Sequence, residues 1–299
     1  MDAKGKYSTI LPHYANPTMS DDDESLTPRD DEGFSTIFVL KPDQIRAKYL
    51  FHAQLSEEVQ DFEELKINIL HLVNAGQALS DSERKLFLLA FKNCVGSRRK
   101  AWRVLVQQEQ DVISKNNKSS SNNSGPSLLP HLRLYKSEIE LEIENVCDEM
   151  LKAIDTLLNV PKGQLNTTEK VFYWKLRGDY SRYLCEFQQG SQREKSSRQA
   201  LDAYNQAKDV VQGPLGLRPS DPQLLGLALN MSVFHYEILG NQQEGLELCR
   251  SVYQDAENHL RNVDENEIGA NVIRSAKDVL KLLRDNLNLW EQEQLEGKR

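Results

Sequence analysis

The sequence predicts an all-α protein of about nine antiparallel helices. Three observations carry that prediction. From Pro42 to Trp290 apolar residues recur at three- and four-residue spacing, the period of an amphipathic helix. No stretch alternates apolar and polar residues as a half-buried strand does. Short breaker clusters, such as Gly213-Pro214 and Gly240-Asn241, punctuate the periodic runs. A helical-repeat-like array is the other architecture this pattern fits.

Residues 1–41 read as an acidic, disordered N-terminal extension, with recurring prolines and the run Asp21-Asp22-Asp23-Glu24 before Ser25 and Thr27-Pro28. Thr27 is a weakly signalled proline-directed phosphosite. Phe34, Ile37, Phe38 and Val39 form a segment able to dock on the body. The helical domain is placed at 42–290. Asp43 is expected to cap a first helix through Ile45, Tyr49 and Leu55, and a second carries Phe62, Leu65, Ile69, Leu70 and Val73 to Gly76. Ser80 with Glu83 three residues on is a capping box. It opens a long helix through Leu86, Leu89, Ala90, Val95, Trp102 and Val106, which dissolves into a flexible Asn/Ser/Lys/Gly insertion at about 115–127. Helix resumes near Leu132 and stops at Pro161, and Thr167-Thr168-Glu169 opens the next. Further runs cover about 193–211, 222–239, 242–260 and 267–290, and 291–299 reads as a short tail able to fold back.

With 39% apolar and 27% charged residues, the chain has an ordinary soluble, helix-rich composition that can bury a sizeable core. Its net charge of -8 disfavours nucleic acid and anionic membrane as partners, because the protein's own field repels a polyanion. A local basic pocket in such a protein instead suits a small, specific anion. Cys94, Cys147, Cys185 and Cys249 lie far apart with no CxxC pair, so buried free thiols and a reducing compartment are expected. No signal pattern and no run near the ~20 apolar residues of a membrane span is present. The cytoplasm is the expected location, with the nucleus left open.

The organising stretch is Val171 to Phe187, VFYWKLRGDYSRYLCEF. Lys175, Asp179, Arg182 and Glu186 fall on one helical stripe, beside an apolar stripe of Phe172, Leu176, Tyr180 and Leu184. A second basic segment, KNCVGSRRKAWR from Lys92 to Arg103, lies on another predicted helix, with Lys92 and Arg99 seven residues apart on one face. Two Arg-bearing helices facing each other would build a fixed cationic pocket. Asn230, between apolar residues in LALNMSVF, needs a hydrogen-bond partner. Trp102 and Trp290 are expected in the core.

Three segments together resemble the 14-3-3 family: KNCVGSRRKAWRV, GDYSRYL at 178–184, and LGLALNMSVFHYEIL at 225–239 with LLRDNLNLW at 282–290. The likeness runs from about Gln44 to Trp290 and weakens before Leu79. It implies a nine-helix protein, usually dimeric and non-enzymatic, that binds phosphoserine or phosphothreonine segments of client proteins in a concave groove. By the same resemblance, Lys92, Arg99, Arg182 and Tyr183 hold the phosphate. Asn230 and Asn286 bond the peptide backbone, and Leu229, Val233, Glu237, Val279 and Leu282 line the groove. No cofactor and no metal are implied. The chemistry agrees: a phosphoester carries about -1.5 to -2 charge and three strong acceptors, which guanidinium forks meet bidentately.

The sequence also departs from that pattern. Asp278 stands where the family has an apolar groove residue. At the family's dimer interface, ungapped counting opposes Asp61 to Glu142 and Glu64 to Glu138, acid against acid, so a weak, atypical or absent homodimer is expected. Ala101 occupies a position where some relatives carry a phosphorylatable serine, and the loop at about 262–271 is enlarged.

Three function classes fit these features in decreasing order. A phosphopeptide-binding adaptor that clamps, masks or bridges clients is the leading reading. A helical scaffold with a vestigial or altered phosphate site, binding partners independently of phosphorylation, is the second. An enzyme is the weakest. There is no HExxH, no glycine-rich phosphate loop and no nucleophile elbow, and the six histidines are scattered without a spaced metal partner.

Overall fold

The computed structural model describes residues 42–118, 128–161, 163–213, 216–264 and 268–296. Among them are nine α-helices: α1 Pro42–Glu58, α2 Phe62–Asn74, α3 Asp81–Lys118, α4 Leu129–Leu158, α5 Thr167–Cys185, α6 Gly190–Gln212, α7 Pro222–Val233, α8 Gln242–Asn262 and α9 Ala270–Glu296. The described residues contain no strand. The expected N-terminal extension, Thr27 and the Phe34–Val39 segment, most of the 115–127 insertion and part of the 262–271 loop lie outside the described residues.

Several boundaries differ from the sequence expectations. Asp43 sits inside the first turn of α1 as a favourable acidic group at the positive helix end, not as its cap. Helix α3 runs on to Lys118 because no Gly or Pro interrupts it after Trp102. Helix α5 is capped by Asn166, whose side chain accepts from Glu169 N while Glu169 Oε2 accepts from Asn166 N, so Thr167 is already helical. The last helix passes Trp290 to Glu296 instead of ending in a loose tail there. Two contacts tie this extension down: Arg250 pairs with Glu291 at 2.7 Å, and Tyr236 OH donates to Glu293 Oε2 at 2.9 Å. The Ser80–Glu83 capping box forms as expected, with Ser80 N donating to Glu83 Oε2 at 2.7 Å and Glu83 N to Ser80 Oγ at 3.4 Å.

The apolar stripes fuse into three clusters. The first joins α1 to α5 around Leu65, Ile69, Phe87, Phe91, Ile143, Met150 and Tyr180. The second joins α7, α8 and α9 around Leu225, Cys249, Leu283 and Trp290. The third packs Val171 of α5 against Tyr204 of α6 and Met231 and Phe234 at the end of α7. Helix α5 therefore serves two clusters at once, and its remaining face carries the charged stripe. Trp290 is buried as expected, whereas Trp102 is half-buried and donates its indole N–H to Glu140 Oε1 at 2.8 Å.

Helix α7 ends in one wide turn, Phe234–Ile238, in which Leu239 N reaches back to Phe234 O at 3.1 Å. That turn lays the Tyr236 ring on Trp290, centroids 4.3 Å apart, and leaves Glu237 exposed beside the site. His235 is buried in the same turn.

All four cysteines are buried and unbridged. Burial pushes the Cys185 and Cys249 thiols up to about 11. The neutral thiol is thus favoured by the fold, a contribution complete below the unfolded-state pKa and lost as pH rises through the folded one. No helix of the described residues is long and apolar enough to cross a membrane.

Candidate functional site

The site is built on the charged stripe of α5. Asp179 is buried and accepts three hydrogen bonds: from Lys175 Nζ at 2.7 Å, Tyr204 OH at 2.8 Å and Asn230 Nδ2 at 2.6 Å. The partner that Asn230 requires inside its apolar helix is therefore this carboxylate. Tyr204 OH in turn accepts from Arg182 Nε at 3.4 Å. Asp179 thus positions Arg182 through the phenol of Tyr204, not by direct contact. Burial alone would lower the Arg182 pKa, but Tyr204, Asp179 and Tyr183 outweigh it, so the guanidinium remains charged.

Helices α3 and α5 face one another across this hub. The Arg99 guanidinium lies over the Tyr183 ring, 3.7 Å from its centroid, and that of Arg182 lies 4.8 Å from the same ring. Glu186 receives both: Arg99 Nε donates to its Oε2 at 3.2 Å and Arg99 NH2 to Oε1, while Arg182 NH1 stands 3.7 Å from Oε1. A shared carboxylate and a shared ring face hold two like charges together that would otherwise repel across a few ångströms. Burial raises the Tyr183 pKa, with Asp179 adding to the rise and Arg182 and Arg99 opposing it. Its hydroxyl stays protonated and able to donate.

A cavity of about 340 Å³ opens between the helices, walled by Lys92 and Arg99 of α3, Lys175, Asp179 and Tyr183 of α5 and Asn230 of α7. Its floor is apolar: Leu88, Val95, Leu176 and Tyr180. Lys92 is exposed at its edge and has no ion-pair partner among the described residues. This arrangement offers a tetrahedral anion two guanidinium groups, ammonium groups and a phenol from several directions. The buried Asp179 carboxylate is fully engaged by its three donors, and the Tyr183 phenol is held neutral. Among the described residues no group of His, Cys, Asp and Glu has the arrangement of a metal site.

Of the residues expected to act together, Lys92, Arg99, Tyr183 and Asn230 meet in one cavity, and Arg182 adjoins it through Tyr183. Leu229, Val233 and Val279 are half-buried on the α7–α8–α9 cluster. Asn286 is half-buried and Leu282 and Asp278 are exposed on α9, and none of the three borders the cationic cavity. Glu237 lines a neighbouring cavity of about 610 Å³ with Glu186 and Arg103. The four acids of the expected dimer contact have places within their own chain or at its surface. Asp61 caps α2 by accepting from Glu64 N at 3.1 Å, Glu64 Oε1 accepts from Asn68 Nδ2 at 2.9 Å, and Glu138 is exposed. Glu142 pairs with Arg98 at 2.8 Å, an arginine that also holds Glu63 at 2.7 Å.

Two participants were missed. Tyr204 lies on α6, where no local pattern marks it. Gly178 is needed because a Cβ there would stand 2.4 Å from Tyr204 Cε1. The faint signal was a glycine in mid-helix, which marks a close approach by another group.

Comparison with known proteins fits this geometry. The model of the family described as 14-3-3 protein matches residues 52–291. A 14-3-3 protein of Giardia intestinalis is 36% identical over 245 residues, covering 82% of this chain and 92% of its own length. A 14-3-3-like protein of Fucus vesiculosus is 38% identical over 260 residues, covering 85% and 93%. Protein BMH2 of Saccharomyces cerevisiae is 35% identical over 247 residues, covering 83% and 85%. The nine α-helices among the described residues suit a class of non-enzymatic adaptors that bind phosphorylated peptides. The chain belongs to the 14-3-3 family.

Proposed function

We propose that this protein is a cytoplasmic adaptor, with access to the nucleus left open, that grips phosphoserine or phosphothreonine segments of client proteins. The observation that carries the reading is the convergence of Arg99 and Arg182 on the Tyr183 ring, with Lys92 across the same cavity. In this reading the two guanidinium groups and the Tyr183 hydroxyl take the phosphate oxygens. Lys92 closes the cavity edge, and Asn230 and Asn286 bond the client backbone, since a carboxamide both donates and accepts. Leu229, Val233, Val279 and Leu282 contact the residues beyond the phosphosite, with Glu237 a polar contact at the rim. Binding alone then clamps, masks or bridges the client. Clients captured by the wild-type protein are expected to be released by phosphatase treatment and not to be captured by Arg99→Ala. Retention of most clients after both treatments would reject the proposal.

A second reading, a scaffold that binds independently of phosphorylation, draws on Glu186, which already occupies both guanidinium groups. An unphosphorylated partner that still binds Arg99→Ala with full affinity would favour it.

Asp278 is exposed one helical turn before Leu282, so it shares the groove-facing side of α9 in this reading. Its carboxylate repels an acidic ligand, and Asp278→Leu is expected to tighten phosphopeptide binding about two- to fivefold at low salt. Unchanged affinity would remove Asp278 from the groove. The opposed acids Asp61 with Glu142 and Glu64 with Glu138 lead us to expect a weak or absent homodimer. A stable dimer in sedimentation at micromolar concentration and moderate salt would contradict this.

A further inference from the structure

We infer that the phosphate cavity continues into a second anion subsite on α3, which reads another negatively charged residue of the client. The inference rests on the phosphopeptide reading above and adds a sequence preference to it. A second cavity, about 320 Å³, abuts the first and shares Gly96 and Arg99 with it. Arg99, Lys100 and Arg103 border it, together with Val104 and Gln107, and no carboxylate lines it.

Three cations within little more than one helical turn repel each other, and a solvated helix face ordinarily offsets them with acids three or four residues away. Here Val95, Gly96, Val104 and Gln107 occupy such places instead. Glu186 reaches over from α5 to Arg99 and, at 3.5 Å, to Arg103, so one carboxylate is spread over two of these guanidinium groups and one in the neighbouring helix. Lys100 is exposed and has no ion-pair partner among the described residues, and the Arg103 side chain is 61% exposed. Gly96 lines both cavities. A Cβ built there meets nothing within 4 Å, so the way is open for a ligand to lie across the helix.

The spacing sets the register. The midpoint of Lys100 and Arg103 lies six residues along α3 from that of Lys92 and Arg99, about 9 Å at the helical rise. An extended peptide covers that distance in about two or three residues. The structure therefore assigns to this subsite a phosphorylated or acidic residue two or three positions from the phosphorylated one.

The test uses labelled phosphoserine peptides in which one further position, two or three residues before or after the phosphoserine, is alanine, glutamate or a second phosphoserine. Each is titrated by anisotropy against the full chain and against Lys100→Ala. On one side of the phosphosite the second phosphate is expected to tighten binding about tenfold over its alanine twin, and glutamate about threefold. Lys100→Ala should remove most of either gain and leave the alanine twin within about twofold of wild type, since an exposed helical Lys→Ala change does not threaten the fold. Binding of the singly phosphorylated peptide with no gain at any position, or a gain untouched by Lys100→Ala, overturns this inference alone. Failure of the singly phosphorylated peptide to bind wild type overturns the proposed function and this inference together.

Discussion

Replacing Asp179 with alanine is expected to lower both stability and phosphopeptide affinity more than any other single change in the site. The carboxylate is buried and accepts from Lys175, Tyr204 and Asn230. Its removal strands those three donors and takes from the buried Arg182 the one carboxylate that, with the Tyr204 and Tyr183 phenols, favours its charged form. Breaking such a buried network costs about 3–5 kcal/mol, a large share of a domain's net stability. Equilibrium denaturation should show that loss. Anisotropy at a temperature where the variant remains folded should show phosphopeptide affinity reduced about a hundredfold or more. Asp179→Asn separates charge from shape, since an amide can still accept from Tyr204 and Asn230. It is expected to keep more stability than Asp179→Ala while losing most of the binding. If both variants bind as wild type does, Asp179 does not position the phosphate pocket.

Gly178→Ala has the second-largest expected effect, and here two physical terms oppose each other. Alanine in a helix interior is favoured over glycine by about 1 kcal/mol. Against that, the new methyl would stand 2.4 Å from the Tyr204 ring, inside a packed layer shared by α5, α6 and α7. Overpacking at such a site typically costs about 1–3 kcal/mol and occasionally more, so the clash wins. Because the displaced ring carries the hydroxyl that links Asp179 to Arg182, affinity should fall along with stability. Tyr204→Phe isolates the hydroxyl: the ring stays, the fold is expected to lose about 1–2 kcal/mol, and phosphopeptide binding should weaken about tenfold. A more stable Gly178→Ala with unaltered binding would show that helix propensity decides at this position.

Most of the fold was legible because it rests on local signals. The Ser80–Glu83 box, the breaker pairs and the three-and-four spacing of apolar residues each act within one or two turns, and each reappears as a helix end or a buried stripe. Where the boundaries slipped, a longer-range contact decided. Helix α9 continues past Trp290 because Arg250 and Tyr236, far away in sequence, hold Glu291 and Glu293. The charged stripe of α5 was visible from spacing, as was the demand of Asn230 for a partner. The link between them was not, because Tyr204 comes from another helix, and only packing brings its hydroxyl between Asp179 and Arg182. The role of Glu186 was half visible: its place on the stripe follows from the sequence, but its hold on Arg99 requires α3 to lie across from α5.

The most direct test of this account is a pair of titrations with one labelled peptide, phosphorylated on serine and unphosphorylated, against wild type and Arg99→Ala. The account predicts that wild type binds the phosphorylated peptide about a hundredfold more tightly than its twin, and that Arg99→Ala loses most of that difference, as expected when charge-assisted hydrogen bonds to a partly desolvated anion are removed. Equal binding of the two peptides by wild type, or a preference that survives Arg99→Ala intact, would contradict it.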